Sequence, residues 1–105
     1  MFTRQQIEDV WAKAKVDSSR DDRMWRKDFA GAWIRRDMLG MHTTYGWTVS
    51  RLQPASRGGS DHIDNLVPAH WRNNMMKSNN YPVFETIITS HFLNNIVRVQ
   101  KWRVG

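Results

Sequence analysis

The sequence predicts one α+β domain, and two patterns along its 105 residues support this prediction. Near the N-terminus, apolar side chains recur three and four positions apart, which is the spacing of an amphipathic helix. In the middle of the chain, apolar and polar side chains alternate, as they do in a half-buried strand. A chain of 105 residues has the size of an ordinary domain, so we expect residues 1–105 to fold as one unit.

The predicted N-terminal helix begins after Thr3 and ends near Lys15. Thr3 and Gln6 have the spacing of a capping box, and Phe2 is available as the hydrophobic staple residue. The apolar face of this helix comprises Ile7, Val10, Trp11 and Ala14. Residues 17–22 are polar, and they predict a loop after the helix.

The centre of the chain predicts two strands and a helix. Residues 47–52 alternate between apolar and polar side chains, and Pro54 ends this strand. Residues 56–61 are rich in serine and glycine, which predicts a turn-rich loop. Residues 65–68 then predict a short returning strand, and residues 70–77 predict a helix.

Three other segments have less regular patterns. Residues 29–34 contain enough apolar side chains to favour a strand. Residues 82–90 favour a short helix, because Pro82 is well suited to the first helical position. Residues 95–104 are rich in β-branched side chains and predict a strand.

The composition is rich in tryptophan and in basic residues. Six tryptophans are spread along the chain, and we expect most of them to form the core, because large aromatic side chains dominate core energetics. Sixteen Lys and Arg residues against ten Asp and Glu residues give a net charge of +6. This balance favours a polyanionic partner, because neutralising phosphates releases counterions.

The chain contains no cysteine, which excludes disulfides and thiolate zinc sites. No apolar run approaches the roughly 20 residues of a membrane span. Residues 1–6 lack the basic and then apolar layout of a signal peptide. We therefore expect a cytoplasmic protein with no membrane partner.

Residues 47–82 resemble the motif of the HNH endonuclease family, whose core is the ββα-metal fold. The residues that match the motif are Pro54, Ser56, Gly58, Gly59, Asp61, Asn65, Leu66, Pro68, Asn74 and Lys77. The separations between positions 51, 65 and 74 equal those between the family's three defining residues. The resemblance implies an HNH-like ββα-metal core at residues 46–82, with the N-terminal helix and an extra C-terminal strand or helix around it.

In this family, a divalent cation stabilises the charge that builds on the scissile phosphate. A strand Asp and a helix His or Asn hold the cation, a strand His is the general base, and a central Asn orients that His. By position in the motif, Ser50 replaces the metal-binding Asp and Arg51 replaces the base. Asn65 then corresponds to the orienting residue, and Asn74 corresponds to the metal ligand of the helix.

The exchanges at Ser50 and Arg51 predict that family-type hydrolysis is lost. A serine hydroxyl is a poor ligand for a hard cation, which prefers carboxylate oxygens. An arginine side chain has a pKa above about 12 and no lone pair that accepts a proton. Neither residue therefore performs the task of the one that it replaces.

We expect an HNH-like nucleic-acid-binding domain with no cofactor, and we favour DNA over RNA as its partner. Arg51 would bind a backbone phosphate, because a guanidinium group pairs bidentately with phosphate oxygens. Arg57, Arg72 and Lys77 would extend this basic surface.

Two alternatives stay open. The first is an active HNH endonuclease with a rearranged site, in which His62 or His70 acts with Asn74 and a divalent cation such as Mg²⁺, Mn²⁺, Ni²⁺ or Zn²⁺. His62 belongs to an Asp-His-Ile sequence at residues 61–63, but this sequence lies too close to Asn65 to occupy the motif strand. The second is a protein-binding inhibitor or adaptor, of a kind expected in phage or mobile-element genomes.

Overall fold

Two helices and three two-stranded antiparallel sheets make up the computed structural model, which describes residues 1–105. The helices are α1 (Arg4–Trp11) and α2 (Trp71–Lys77). The strands are β1 (Trp25–Lys27), β2 (Trp33–Arg35), β3 (Trp47–Arg51), β4 (Leu66–His70), β5 (Val83–His91) and β6 (Asn94–Arg103). Each strand pairs with its neighbour in sequence, as β1-β2, β3-β4 and β5-β6. The predicted α+β class is confirmed.

The predicted capping box at the start of α1 is confirmed. The Gln6 amide donates to Oγ1 of Thr3 at 3.1 Å, and the Thr3 amide donates to Oε1 of Gln6 at 2.8 Å. The helix ends at Trp11, earlier than predicted. The reason is that the backbone of Lys15 pairs with Lys27 through two hydrogen bonds of 2.8 Å, which draws the chain away from the helix axis.

The predicted strand at residues 29–34 is wrong for its first half. The chain turns between β1 and β2, where the Gly31 amide donates to the Asp28 carbonyl and Gly31 adopts a φ of +90°. A left-handed conformation of this kind favours glycine. Only Trp33–Arg35 continues as β2.

The predicted strand, loop, strand and helix in the centre of the chain are confirmed. β3 and β4 pair so that Ser50 lies opposite Val67 and Arg51 lies opposite Leu66. α2 follows β4 without an intervening loop, because the side chain of His70 caps it by accepting a hydrogen bond from the Arg72 amide. The helix therefore starts where β4 ends, and both strands lie beside it.

The predicted helix at residues 82–90 is wrong, since this segment is strand β5 (Val83–His91). Phe84, Thr86 and Ile88 are buried at alternate positions, which is the period of a strand with one covered face. The prediction of a strand at residues 95–104 is confirmed as β6, which pairs with β5 along its length.

The core lies between α1, β2 and the β3-β4 pair. Trp11 and Trp47 contact each other there with ring centroids 5.2 Å apart, and Val10, Ile34 and Leu66 pack around them. Three of the six tryptophans are buried, namely Trp11, Trp33 and Trp47. The other three are half-buried. Neither helix has the length and apolar character needed to cross a bilayer.

Asp28 is fully buried, and its carboxylate accepts four hydrogen bonds. Oδ1 accepts from the amides of Ala30 and Ala32, at 3.0 and 2.9 Å. Oδ2 accepts from the amide of His70 at 2.9 Å and from Nδ2 of Asn73 at 3.0 Å. Burial raises the pKa of Asp28, while these donors lower it. One carboxylate thus joins the turn between β1 and β2 to the start of α2.

The side chain of Asn73 extends these contacts to β5. Its Oδ1 accepts from the amides of Ile87 and Ile88, at 2.9 and 2.7 Å, and its Nδ2 also donates to the Ile88 carbonyl at 2.9 Å. The register of β5 and β6 shifts between Thr86 and Ile88, so Asn73 satisfies backbone groups at this irregularity. We call the side chains of Asp28 and Asn73, with these partners, the Asp28–Asn73 network.

Asp28→Asn is expected to lower the free energy of unfolding by about 3 kcal/mol, because the new amide would point an N–H group at donors that are already in place. Urea denaturation followed by tryptophan fluorescence measures this change. Asp22→Asn is the matched control, since Asp22 is exposed. Equal stability of the two variants would contradict the role given to Asp28.

Candidate functional site

A groove of about 420 Å³ opens between the end of β3, the loop that follows it and α2. Its lining residues are Val49, Arg51, Pro54, Ala55, Ser56, Asn74, Met75, Ser78 and Asn79. We call it the Arg51 groove. The structure therefore brings Arg51 and Asn74 to one surface, although they are 23 positions apart in the sequence.

Asn65 holds the loop that forms one wall of the Arg51 groove. Its Oδ1 accepts from the Gln53 amide at 2.8 Å, and its Nδ2 donates to the carbonyls of Gln53 at 3.0 Å and Ser60 at 2.7 Å. Gly59 lies so close to this clamp that a Cβ atom there would be 1.7 Å from the Gln53 carbonyl oxygen. The Asn65 side chain thus positions loop backbone rather than a histidine.

The guanidinium group of Arg51 forms an ion pair with Asp61. Nε lies 2.6 Å from Oδ1 and Nη2 lies 3.4 Å from Oδ2, while the guanidinium carbon is 5.0 Å from the centre of the Phe2 ring. The hydrogen bond raises the pKa of Arg51 and lowers the pKa of Asp61. Arg51 is therefore a permanent cation in the groove, with Nη1 free of hydrogen bonds to the chain.

The divalent cation that the family resemblance implies does not fit the side chains at this site. Ser50 offers a neutral oxygen, is only 2% exposed and does not line the Arg51 groove. Asn74 offers one amide oxygen, and the neighbouring Arg51 guanidinium would repel a cation. The structure also contains no cluster of three or more His, Cys, Asp or Glu side chains.

His62 and His70 do not line the Arg51 groove. Nδ1 of His70 accepts from the Arg72 amide at 3.1 Å, so its Nε2 donates to the Thr44 carbonyl at 2.8 Å. Burial lowers the pKa of His70, which favours this neutral form. His62 is exposed, and its Nδ1 accepts from the Asp64 amide at 3.2 Å. Neither histidine therefore shares the Arg51 groove with Asn74.

The basic residues predicted to extend the groove have different surroundings. Arg57 is exposed on the loop and donates from Nε to the Asn79 carbonyl, at 3.3 Å, beside the groove. Arg72 is exposed on α2 but lines a second pocket.

The prediction that Lys77 adds to the basic surface is wrong. Lys77 is 2% exposed, and its Nζ lies 3.3 Å from the Asn80 carbonyl and 5.1 Å from the centre of the Phe84 ring. Burial also lowers the pKa of this amine. The side chain therefore supports the turn after α2 instead of facing solvent.

Sequence reasoning missed two contributions to this surface. Asp61 was recognised as a motif residue but not as the partner of Arg51, and an acidic residue ten positions from an arginine gives no local signal of pairing. His42 and Trp71 stack on each other beside α2, with ring centroids 4.4 Å apart. Their separation of 29 positions has no periodic signature in the sequence.

Comparisons with protein-family models, with curated proteins and with solved structures found no match to this chain. The HNH resemblance therefore rests on the motif residues and on the separations between positions 51, 65 and 74. Residues 47–77 form a strand, a loop, a second strand and a helix in direct succession.

Arg51→Gln is expected to raise the pKa of Asp61 back towards its ordinary value of 3.8, because the charged hydrogen-bond donor is lost. A titration followed by carboxyl carbon NMR measures this shift. In the wild-type protein the ion pair is fully formed at pH values above 3.8, the ordinary pKa of an Asp side chain. It is lost as the pH falls through the lowered pKa of Asp61. Arg57→Gln is the control and should leave the Asp61 titration unchanged. An unchanged pKa in Arg51→Gln would refute the ion pair.

Proposed function

We propose that this chain is a nucleic-acid-binding domain of HNH descent, which holds the DNA backbone without family-type cleavage. The observation that carries the proposal is the position of Arg51 in a groove beside Asn74. A guanidinium group offers planar donors that match two phosphate oxygens, and an Asn side chain offers a further amide donor. These groups suit a phosphodiester better than they suit a metal ion.

The ion pair with Asp61 keeps Arg51 in position without using all of its donors. Nη1 makes no hydrogen bond within the chain, and the Asn74 side chain makes none either. Asp61 is about half exposed, with 49% of its side-chain surface accessible. An ion pair at such an exposed position contributes about 0–1 kcal/mol, so a phosphate is able to displace the carboxylate at little cost.

The charge of the whole chain supports the same partner. A net charge of +6 attracts a polyanion over a distance of roughly one Debye length, about 8 Å at physiological salt. Arg57 lies at the rim of the groove, where its exposed guanidinium group is able to contact a neighbouring phosphate. The binding energy should therefore depend strongly on salt.

Loss of cleavage follows from the chemistry of the same residues. Hydrolysis by the family's route needs a base that accepts a proton from water, and the Arg51 side chain has no lone pair for this purpose. The alternative bases, His62 and His70, hold helix and turn amides with Nδ1 and lie outside the groove. The proposed role is therefore to hold phosphates rather than to cut them.

Arg51→Ala is expected to weaken binding to duplex DNA about tenfold and to reduce the slope of log K against log salt by about 1. Asp61→Ala should instead strengthen binding several-fold, because it frees the guanidinium donors. Fluorescence anisotropy with a labelled duplex, measured across a salt series, gives both quantities.

The exposed ion pair between Arg23 and Asp21 supplies the controls for this experiment. Arg23→Ala changes the net charge as Arg51→Ala does, and Asp21→Ala changes it as Asp61→Ala does. Neither Arg23 nor Asp21 lines the Arg51 groove. If the Arg23 and Arg51 variants lose equal affinity, the binding reflects net charge alone and the proposed site is wrong. Absence of DNA binding by the wild-type protein would reject the proposed function.

Ser50→Asp combined with Arg51→His restores the residue types of the family's carboxylate ligand and general base, and metal-dependent plasmid nicking is expected if the aspartate carboxylate, which reaches further than the buried Ser50 hydroxyl, enters the Arg51 groove. The assay uses Mg²⁺, Mn²⁺ and Ni²⁺, with Arg51→His alone as the control that lacks the carboxylate. A double variant that folds and binds metal at this site without nicking would contradict the assignment of Ser50 and Arg51 to the family's Asp and His positions, or the roles given to the other site residues.

A further inference from the structure

A second pocket of about 420 Å³ lies at the opposite end of α2 from the Arg51 groove. Its lining includes His42, Trp71 and Arg72, together with Ile96 and Val97 of β6. Two of the residues predicted from the sequence to be functional, His70 and Arg72, line this pocket. Its combination of flat rings, a cation and apolar side chains differs from the polar lining of the Arg51 groove.

The rings of His42 and Trp71 form a stacked pair beside this pocket, which we call the His42–Trp71 platform. Their planes are 9° apart and their centroids are separated by 4.4 Å. Trp71 is fixed, because its Nε1 donates to the Thr43 carbonyl at 2.7 Å. His42 is the exposed ring of the pair. The platform therefore presents a flat aromatic surface to solvent on a rigid support.

A smaller pocket connects the platform to the Arg51 groove. This pocket, of about 280 Å³, is lined by both platform rings and also by Asn74 and Met75. Asn74 and Met75 line the Arg51 groove as well. Along α2, Trp71 and Asn74 are separated by about 4.5 Å of helix rise. One continuous surface thus runs along α2 from the arginine to the stacked rings.

We propose that this continuous surface binds single-stranded DNA, with a phosphate at Arg51 and an unpaired base stacked on the His42–Trp71 platform. The inference rests on the proposed nucleic-acid-binding function and specifies its ligand. A base in a duplex has both faces covered by its neighbours, whereas an unpaired base is free to stack on an aromatic side chain. Arg72, at the edge of the pocket, is placed to contact the adjoining backbone.

The Arg51 groove at one end of this surface and the His42–Trp71 platform at the other together favour an unpaired strand. A cationic groove alone would serve any phosphodiester, paired or unpaired. The exposed ring of His42 adds a contact that only a base face is able to use. Sequence preference should be weak, since every base has an aromatic face.

The test compares a labelled oligothymidine strand with a duplex of equal length. The wild-type protein should bind the single strand more tightly, and His42→Ala should weaken single-strand binding about tenfold while changing duplex binding less than twofold. His42→Phe should retain wild-type affinity, because a phenyl ring also stacks on a base. His91→Ala is the matched control, since His91 is another exposed histidine beside an aromatic ring, that of Phe92.

Comparison of the Arg51 and His42 variants distinguishes failure of base stacking from failure of the proposed nucleic-acid-binding function. If Arg51→Ala weakens binding of both DNA forms but His42→Ala weakens neither, the nucleic-acid-binding function stands and the stacking surface is rejected. Equal losses in His42→Ala and His91→Ala would also reject it. If the wild-type protein binds neither form, the proposed function and this inference fail together.

Discussion

The buried carboxylate of Asp28 is the constraint on which the rest of the structure depends. Three small sheets of two strands each have little area with which to hold one another, and a pair of strands on its own is marginally stable. The Asp28–Asn73 network joins the turn between β1 and β2, the start of α2 and the irregular point of β5. A buried anion with four N–H donors leaves few alternative arrangements, because moving any one partner exposes an unsatisfied charge.

The same network determines which face of α2 is turned away from the core. Asn73 points inward to Asp28 and β5, and the next residue, Asn74, lies about 100° further around the helix, where it lines the Arg51 groove. At the other end of the groove, Asn65 fixes the loop after β3. Arg51 and Trp71 thus lie on segments whose backbone is held in place by buried or half-buried Asn and Asp side chains.

Sequence patterns predicted the segments whose structure is decided locally. The alternation at residues 47–52 gave β3, and the motif spacing placed Arg51 and Asn74 on one surface. The errors lie where distant contacts decide the outcome. Residues 82–90 have a proline at a favourable helical position, but pairing with β6 and burial of alternate side chains make them a strand. Lys77 was expected on the surface, yet it is buried against Phe84 of β5. No local sequence pattern predicts this contact.

Asp61 gives the Arg51 guanidinium group a partner within the chain, and this bears on which anions the groove would select. A small anion such as inorganic phosphate would compete with a carboxylate that is tethered nearby and therefore present at a high effective concentration. A polymer competes differently, because its other phosphates and bases contact neighbouring parts of the surface at the same time. Under the proposed function, the tethered carboxylate would therefore favour ligands that attach at several points over small free anions, by no more than the roughly 1 kcal/mol that an exposed ion pair contributes.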